Sequence, residues 1–134
     1  MSEENVEIVR RMLDAVIRCD PDAFVAYMTP SVEWDDREGW PGIRRIYRGR
    51  TGVREWWDKF INVGQIASAE VEEITEGSSG RVLLGVFGTF RGTSSGAEFD
   101  ARAWYVFWLV DGKVAKGKLF WDRAQALEAA GLSE

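Results

Sequence analysis

The 134-residue chain carries 17 basic and 22 acidic side chains, a net charge of −5, with one cysteine and no histidine. Without histidine there is no Ser-His-Asp or Cys-His relay and no imidazole metal ligand, and a single cysteine forms no internal disulfide. The acidic balance argues against nucleic acid as a partner, and 46% apolar with 29% charged residues is the composition of a folded soluble domain.

Chain order begins with an amphipathic helix over about 3–18, where Val6, Val9, Leu13, Val16 and Ile17 recur at three- and four-residue spacing. Ser2 is the expected N-cap. Asp20-Pro21 opens a second, short helix with Phe24, Tyr27 and Met28 on its apolar face, and Pro30 is expected to stop it. Ser31 to Asp36 then alternates as a strand, with Val32, Trp34 and Asp36 on one face and Glu33 and Asp35 on the other. A loop over 37–49 contains Trp40 and leads to a third helix, capped by Thr51, with Val53, Trp56, Trp57, Phe60 and Ile61 at helical spacing. Gly64 closes it.

Beyond Gly64 the apolar period changes from 3.6 to 2. Strands are expected over about 66–75, 81–93, 97–110 and 114–121, joined by GSSG (77–80), TSSG (93–96) and Asp111-Gly112, the last a tight-hairpin signal. Hairpin-linked strands imply an antiparallel sheet, and Gly85 and Gly88 suggest bulges or tight bends that curve it. A final helix starts at Asp122 and ends at Gly131. Residues 1–134 therefore read as one α+β domain, a curved sheet whose concavity is closed by the three leading helices and leaves a pocket for a hydrophobic small molecule. The acidic start MSEENVEIVRR lacks signal-peptide features and no apolar run reaches membrane-spanning length, so the expectation is a cytoplasmic protein without a membrane partner. No metal-binding, P-loop or dinucleotide motif is present, and no cofactor is expected.

The element order, RGRTGVREWW (48–57), VDGKVAKGKLFWDR (110–123) and ALEAAGL (126–132) resemble the SnoaL-like branch of the NTF2-like, ketosteroid isomerase-like superfamily. The resemblance implies a cone-shaped fold with an internal pocket. It leaves the activity open among ketosteroid isomerases, polyketide cyclases, epoxide hydrolases, dehydratases and members with no known activity. It also implies that the proton-shuttling aspartate of the isomerases falls on Asp36. Their oxyanion-binding tyrosine falls on Met12, which has no proton to donate, and their second donor falls near Trp104 or Tyr105.

The residues themselves single out Asp36 as well. An inward carboxylate among aromatics is desolvated, its pKa rises, and it becomes a general base near neutral pH. The alternatives are a strand-end carboxylate turned to solvent, or a one-residue slip that puts Asp35 inside instead. In EFDARAWYVFW (98–108), Arg102 and Trp104 share one face with Glu98, Asp100, Val106 and Trp108, and Tyr105 shares the other with Ala103 and Phe107. Arg102 suits an anionic oxygen, or pairs with a carboxylate of a neighbouring strand. Both faces are apolar towards the end of this strand, so each needs a cover, one of them a second subunit in a homodimer. Trp34, Trp57, Trp104 and Trp121 are candidate pocket walls, Tyr27 a polar handle, and Trp40 a cover for the mouth. Trp56 completes a buried helical stripe, the four arginines of 42–50 form a solvated loop, and Cys19 is expected to be a packed thiol. An enzyme holds Asp36 on a cavity with a donor such as Tyr27, Arg102 or Tyr105 converging on it. A binding module fills that space with tryptophan.

Overall fold

The computed structural model describes residues 2–39 and 42–132. Three helices lead, α1 (Ser2–Ile17), α2 (Pro21–Ala26) and α3 (Gly49–Val63), and α4 (Arg123–Ala129) closes the chain. Six strands, β1 (Met28–Asp35), β2 (Ile46–Arg48), β3 (Gly64–Glu76), β4 (Arg81–Gly92), β5 (Glu98–Val110) and β6 (Lys113–Phe120), form one sheet in the order β2-β1-β6-β5-β4-β3. The expected α+β architecture is present as a curved, unclosed sheet. The antiparallel expectation holds for every pair except one, because β1 pairs with β6 in parallel.

Several boundaries differ for physical reasons. Pro30 does not stop α2, which ends at Ala26 with Tyr27 as its C-cap. Met28 and Pro30 belong to β1 instead. The β1–β6 register shifts between Met28 and Glu33, so a residue without an N–H costs the ladder nothing there. Thr51 is not the cap of α3. That helix begins at Gly49, directly after β2, a short strand inside the expected loop. Since α1 already includes Ser2, its cap position lies outside the described residues. Asp122 caps α4 by accepting the Ala124 N–H, and Asp111 and Gly112, at φ 50° and 77°, make the tight β5–β6 turn.

The bulges are carried by β3, where Ala67 is the extra residue opposite Phe90 and Thr89 and Glu72 the extra residue opposite Val86 and Gly85. Gly85 makes room for an indole, since a Cβ there would lie 2.9 Å from Trp104 Nε1. Helices α1–α3 pack on the inner face around Val9, Phe24, Trp34 and Val53. Helix α4 covers part of the outer face, where Ala126, Leu127 and Ala130 pack against Leu83, Val106 and Phe120. Part of the cover for which a second subunit was the expectation thus comes from the chain itself. No described helix is long and apolar enough to cross a membrane.

Candidate functional site

Strand alternation builds the site. In β5 the inward set Ala101, Ala103, Tyr105 and Phe107 places small residues at one end and large rings at the other, and the space over the alanines stays open. Met12 and Val16 of α1 and Trp56 and Phe60 of α3 close that space from the helix side. The result is a cavity of about 90 Å³ with an almost wholly apolar wall.

Trp34 is the hub of the aromatic end. Its ring lies 5.1 Å from Trp56, 5.5 Å from Phe24, 5.9 Å from Phe107 and 6.1 Å from Tyr105, centroid to centroid. It lies flat on the sheet because β6 offers Gly117 beneath it, where a Cβ would come within 2.7 Å of the ring.

Asp36 follows β1 on this inner side and is 2% exposed. Its Oδ2 accepts the Trp56 Nε1–H at 2.9 Å. The turn 36–39 folds back over it, with Gly39 N–H bonded to the Asp36 carbonyl at 2.9 Å, and any Cβ on Gly39 would overlap the carboxylate. Burial pushes the Asp36 carboxyl up from 3.8 to about 6; the Trp56 hydrogen bond opposes that rise and the charge of Asp35 adds to it. Asp36 is not itself part of the cavity wall. Trp56 is, and it connects the two.

Tyr105 lies on the wall, half-buried. Burial, then the Asp36 charge, raises its pKa, so it stays a protonated donor. Among the described residues nothing hydrogen-bonds to its hydroxyl. A donor left open on an apolar cavity is the group most in need of a ligand oxygen.

The remaining sequence candidates separate. Trp34 and Trp121 line the cavity with Tyr105; Trp121 is 40% exposed and donates to the Glu38 carbonyl, tying the end of β6 to the turn over Asp36. Trp57 is buried against Phe24 at 5.2 Å and Tyr27 packs on the core as the α2 cap, both away from the cavity wall. Arg102 and Trp104 lie on the outer face. Arg102 grips Glu72 at 2.6 and 3.0 Å and stacks over Phe87, and Trp104 packs beside the α4 cluster. Neither converges on Asp36. Trp40 falls outside the described residues. Cys19 is not packed but exposed, at φ 57° in the turn after α1.

Sequence reasoning missed the Trp56–Asp36 hydrogen bond and Gly39. Trp56 followed the helical stripe and so carried no separate signal, and Gly39 had only its place three residues after Asp36. Among the described residues no group of three acidic or sulfur ligands is placed to hold a metal ion.

Residues 9–117 match the SnoaL-like domain family, and the chain belongs to it. No curated protein matches the chain. It is similar to an NTF2-like protein from Burkholderia xenovorans, with 25% identity and a TM-score of 0.73 over 98% of both chains. It shares its fold with a hypothetical protein of ketosteroid isomerase-like fold from Catenulispora acidiphila solved with trimethylamine, at 12% identity and TM-score 0.74 over 95% of this chain and 94% of that one. The fold is also that of SalBIII, an epoxide hydrolase/cyclase-like enzyme of pyran ring formation in the polyether salinomycin, at 21% identity and TM-score 0.75 over 90% and 92%.

Proposed function

We propose that this SnoaL-like protein binds a hydrophobic, oxygen-bearing small molecule and moves a proton on it, with Asp36 as base and Tyr105 as donor. One observation carries the reading: Trp56, packed beside the Trp34 ring, holds a desolvated carboxylate whose pKa rises to about 6, and Tyr105, also beside Trp34, has a hydroxyl without a partner among the described residues. The carboxylate takes a proton from the carbon next to a carbonyl, and the electron pair moves onto the carbonyl oxygen. The Tyr105 hydroxyl stabilises the charge that develops there. The proton then returns to the same carbon or to a conjugated one. On this reading Asp36 exchanges the Trp56 N–H for the substrate, because Trp56 is the wall residue that contacts it. With Met12 at the other donor position, Tyr105 carries the one hydroxyl on the wall, which suits an already acidic carbon. The similarity to an isomerase-like and a cyclase-like protein supports this at the level of fold.

Deuterium uptake by 2-tetralone, followed by NMR in D2O, tests the proposal. The protein accelerates uptake, with a rate that rises through about pH 6 and then levels, and Asp36→Asn loses about a hundredfold or more. Equal rates for the two proteins remove Asp36 from the mechanism. Binding of 2-tetralone without any acceleration establishes the second reading, a non-catalytic ligand-binding module, which the tryptophan-rich wall favours. Pairing of two copies across the part of the outer face that α4 leaves open belongs to either reading, and sedimentation measures it.

A further inference from the structure

The inner cavity is small for a complete ligand. Sites for ordinary small molecules run from roughly 300 to 1,000 Å³, whereas this chamber has about 90 Å³. Against it lies a second space of about 620 Å³, an open groove between the C-terminal ends of α1 and α3. The two share Val16, Phe60 and Ile66 as walls, so the chamber ends where the groove begins. Ile17 and Ile61 line the groove and are 48% and 42% exposed, although each sits on a helix that packs against the core. Both isoleucines belong to apolar stripes whose other members are buried or half-buried, and they are the points where each stripe runs out into the groove. Asp58 and Asn62 give the groove a polar edge.

We infer that groove and chamber are two halves of one site, and that its ligand is an elongated amphiphile. A ring bearing the oxygen occupies the chamber, and an apolar arm of several carbons passes Val16, Phe60 and Ile66 to lie on Ile17 and Ile61. A polar far end meets Asp58 and Asn62. The arm, not a partner protein, is the proposed occupant because the same three side chains, Val16, Phe60 and Ile66, border both groove and chamber. Taken together, the two spaces have the size of an ordinary small-molecule site. The inference rests on the binding half of the proposed function and adds the shape of the molecule bound.

Phenol, 4-butylphenol and 4-octylphenol, titrated by tryptophan fluorescence, test it. Affinity is expected to rise about fourfold per methylene while the arm is being buried, and to keep rising between the butyl and octyl compounds. Ile61→Asp, an exposed position, abolishes the gain from butyl to octyl. A bulky maleimide on Cys19, the chain's one cysteine, does the same. An octyl compound that binds no tighter than the butyl one, or a gain that survives Ile61→Asp, overturns the inference. Tyr105→Phe separates the two proposals, because it weakens every arm length equally if the ring sits in the chamber. Phenol affinities that stay the same in Tyr105→Phe at every arm length, with the arm-length gain intact, sink the proposed function and leave the groove standing. If no phenol of any length binds, both fall.

Discussion

Asp35 and Asp36 are adjacent in the chain and each is 2% exposed, yet the two faces of the sheet treat them oppositely. On the outer face burial alone would raise Asp35. The Arg37 guanidinium at 2.8 and 3.0 Å, the Arg37 backbone N–H and the Lys118 amine overcome that and hold its carboxyl well below the usual carboxylate range. On the inner face a single indole N–H meets Asp36, desolvation wins, and its carboxyl rises to about 6. Low exposure alone therefore does not distinguish a structural carboxylate from a chemically poised one. The number and charge of its partners decide it.

Removing Asp35 breaks the contrast most severely. Asp35→Ala strands the Lys118 amine, 22% exposed, without its anion, while Arg37, 60% exposed, returns to water. Loss of one partner of a buried ion pair costs about 3–5 kcal/mol, and the solvated arginine puts this case near 3 kcal/mol. Urea unfolding at pH 7 measures it. A loss under about 1 kcal/mol would show that solvent already reaches Asp35 and that the two carboxylates are not equally buried.

Removing the charge of Asp36 has the opposite sign. A folded-state pKa raised from 3.8 to about 6 leaves stability intact below the lower value. Stability then falls as pH rises through that window, and the full penalty remains above it. Asp36→Asn keeps an acceptor for the Trp56 N–H and removes the penalty. The variant is expected to be more stable by about 3 kcal/mol at pH 8 and no different at pH 3. Asp35 obeys the reverse rule, since its depressed pKa supplies stability above the unfolded value that is lost as pH falls through the folded one. Unfolding series of the parent and Asp36→Asn from pH 3 to 8 read the sign directly, and an Asn variant that is less stable at pH 8 would deny that Asp36 is held at a cost.

The two-faced design was partly legible in the chain. Alternation alone placed Trp34 and Asp36 together and assigned Tyr105 and Arg102 to opposite faces, because a strand of 13 residues leaves no freedom in parity. Apolar spacing located α1 and α3, and Asp111-Gly112 fixed the β5–β6 hairpin. What escaped depends on pairs distant in sequence. Nothing local to Arg102 names Glu72, 30 residues earlier, as its partner. Nothing in VEWDD shows that β1 will run parallel to β6 and thereby bring Lys118 to Asp35. Trp57 and Trp104 follow the same periodicities as Trp34 and Trp121, so periodicity does not tell core from cavity wall. The alanines of β5 do, once the helices opposite them are in place.

Tyr105 and Arg102 offer the smallest and cleanest comparison. They are three residues apart on one strand, on opposite faces, and both are polar groups suited to an oxygen. Arg102 already spends its guanidinium on Glu72, whereas the Tyr105 hydroxyl faces the cavity with no partner among the described residues. Tyr105→Phe removes one donor and leaves no buried acceptor stranded, so stability is expected to stay unchanged. Binding of 2-naphthol, which presents an enol-like oxygen on a flat ring, should weaken about tenfold, the worth of one hydrogen bond. Arg102→Ala should leave 2-naphthol binding where it was, because the sheet itself separates Glu72 and Phe87 from the cavity. Calorimetric titration of both variants decides between the faces. If Arg102→Ala weakened binding as much as Tyr105→Phe, the ligand would belong to the charged outer surface, and the quiet carboxylate there, not Asp36, would need a chemical role.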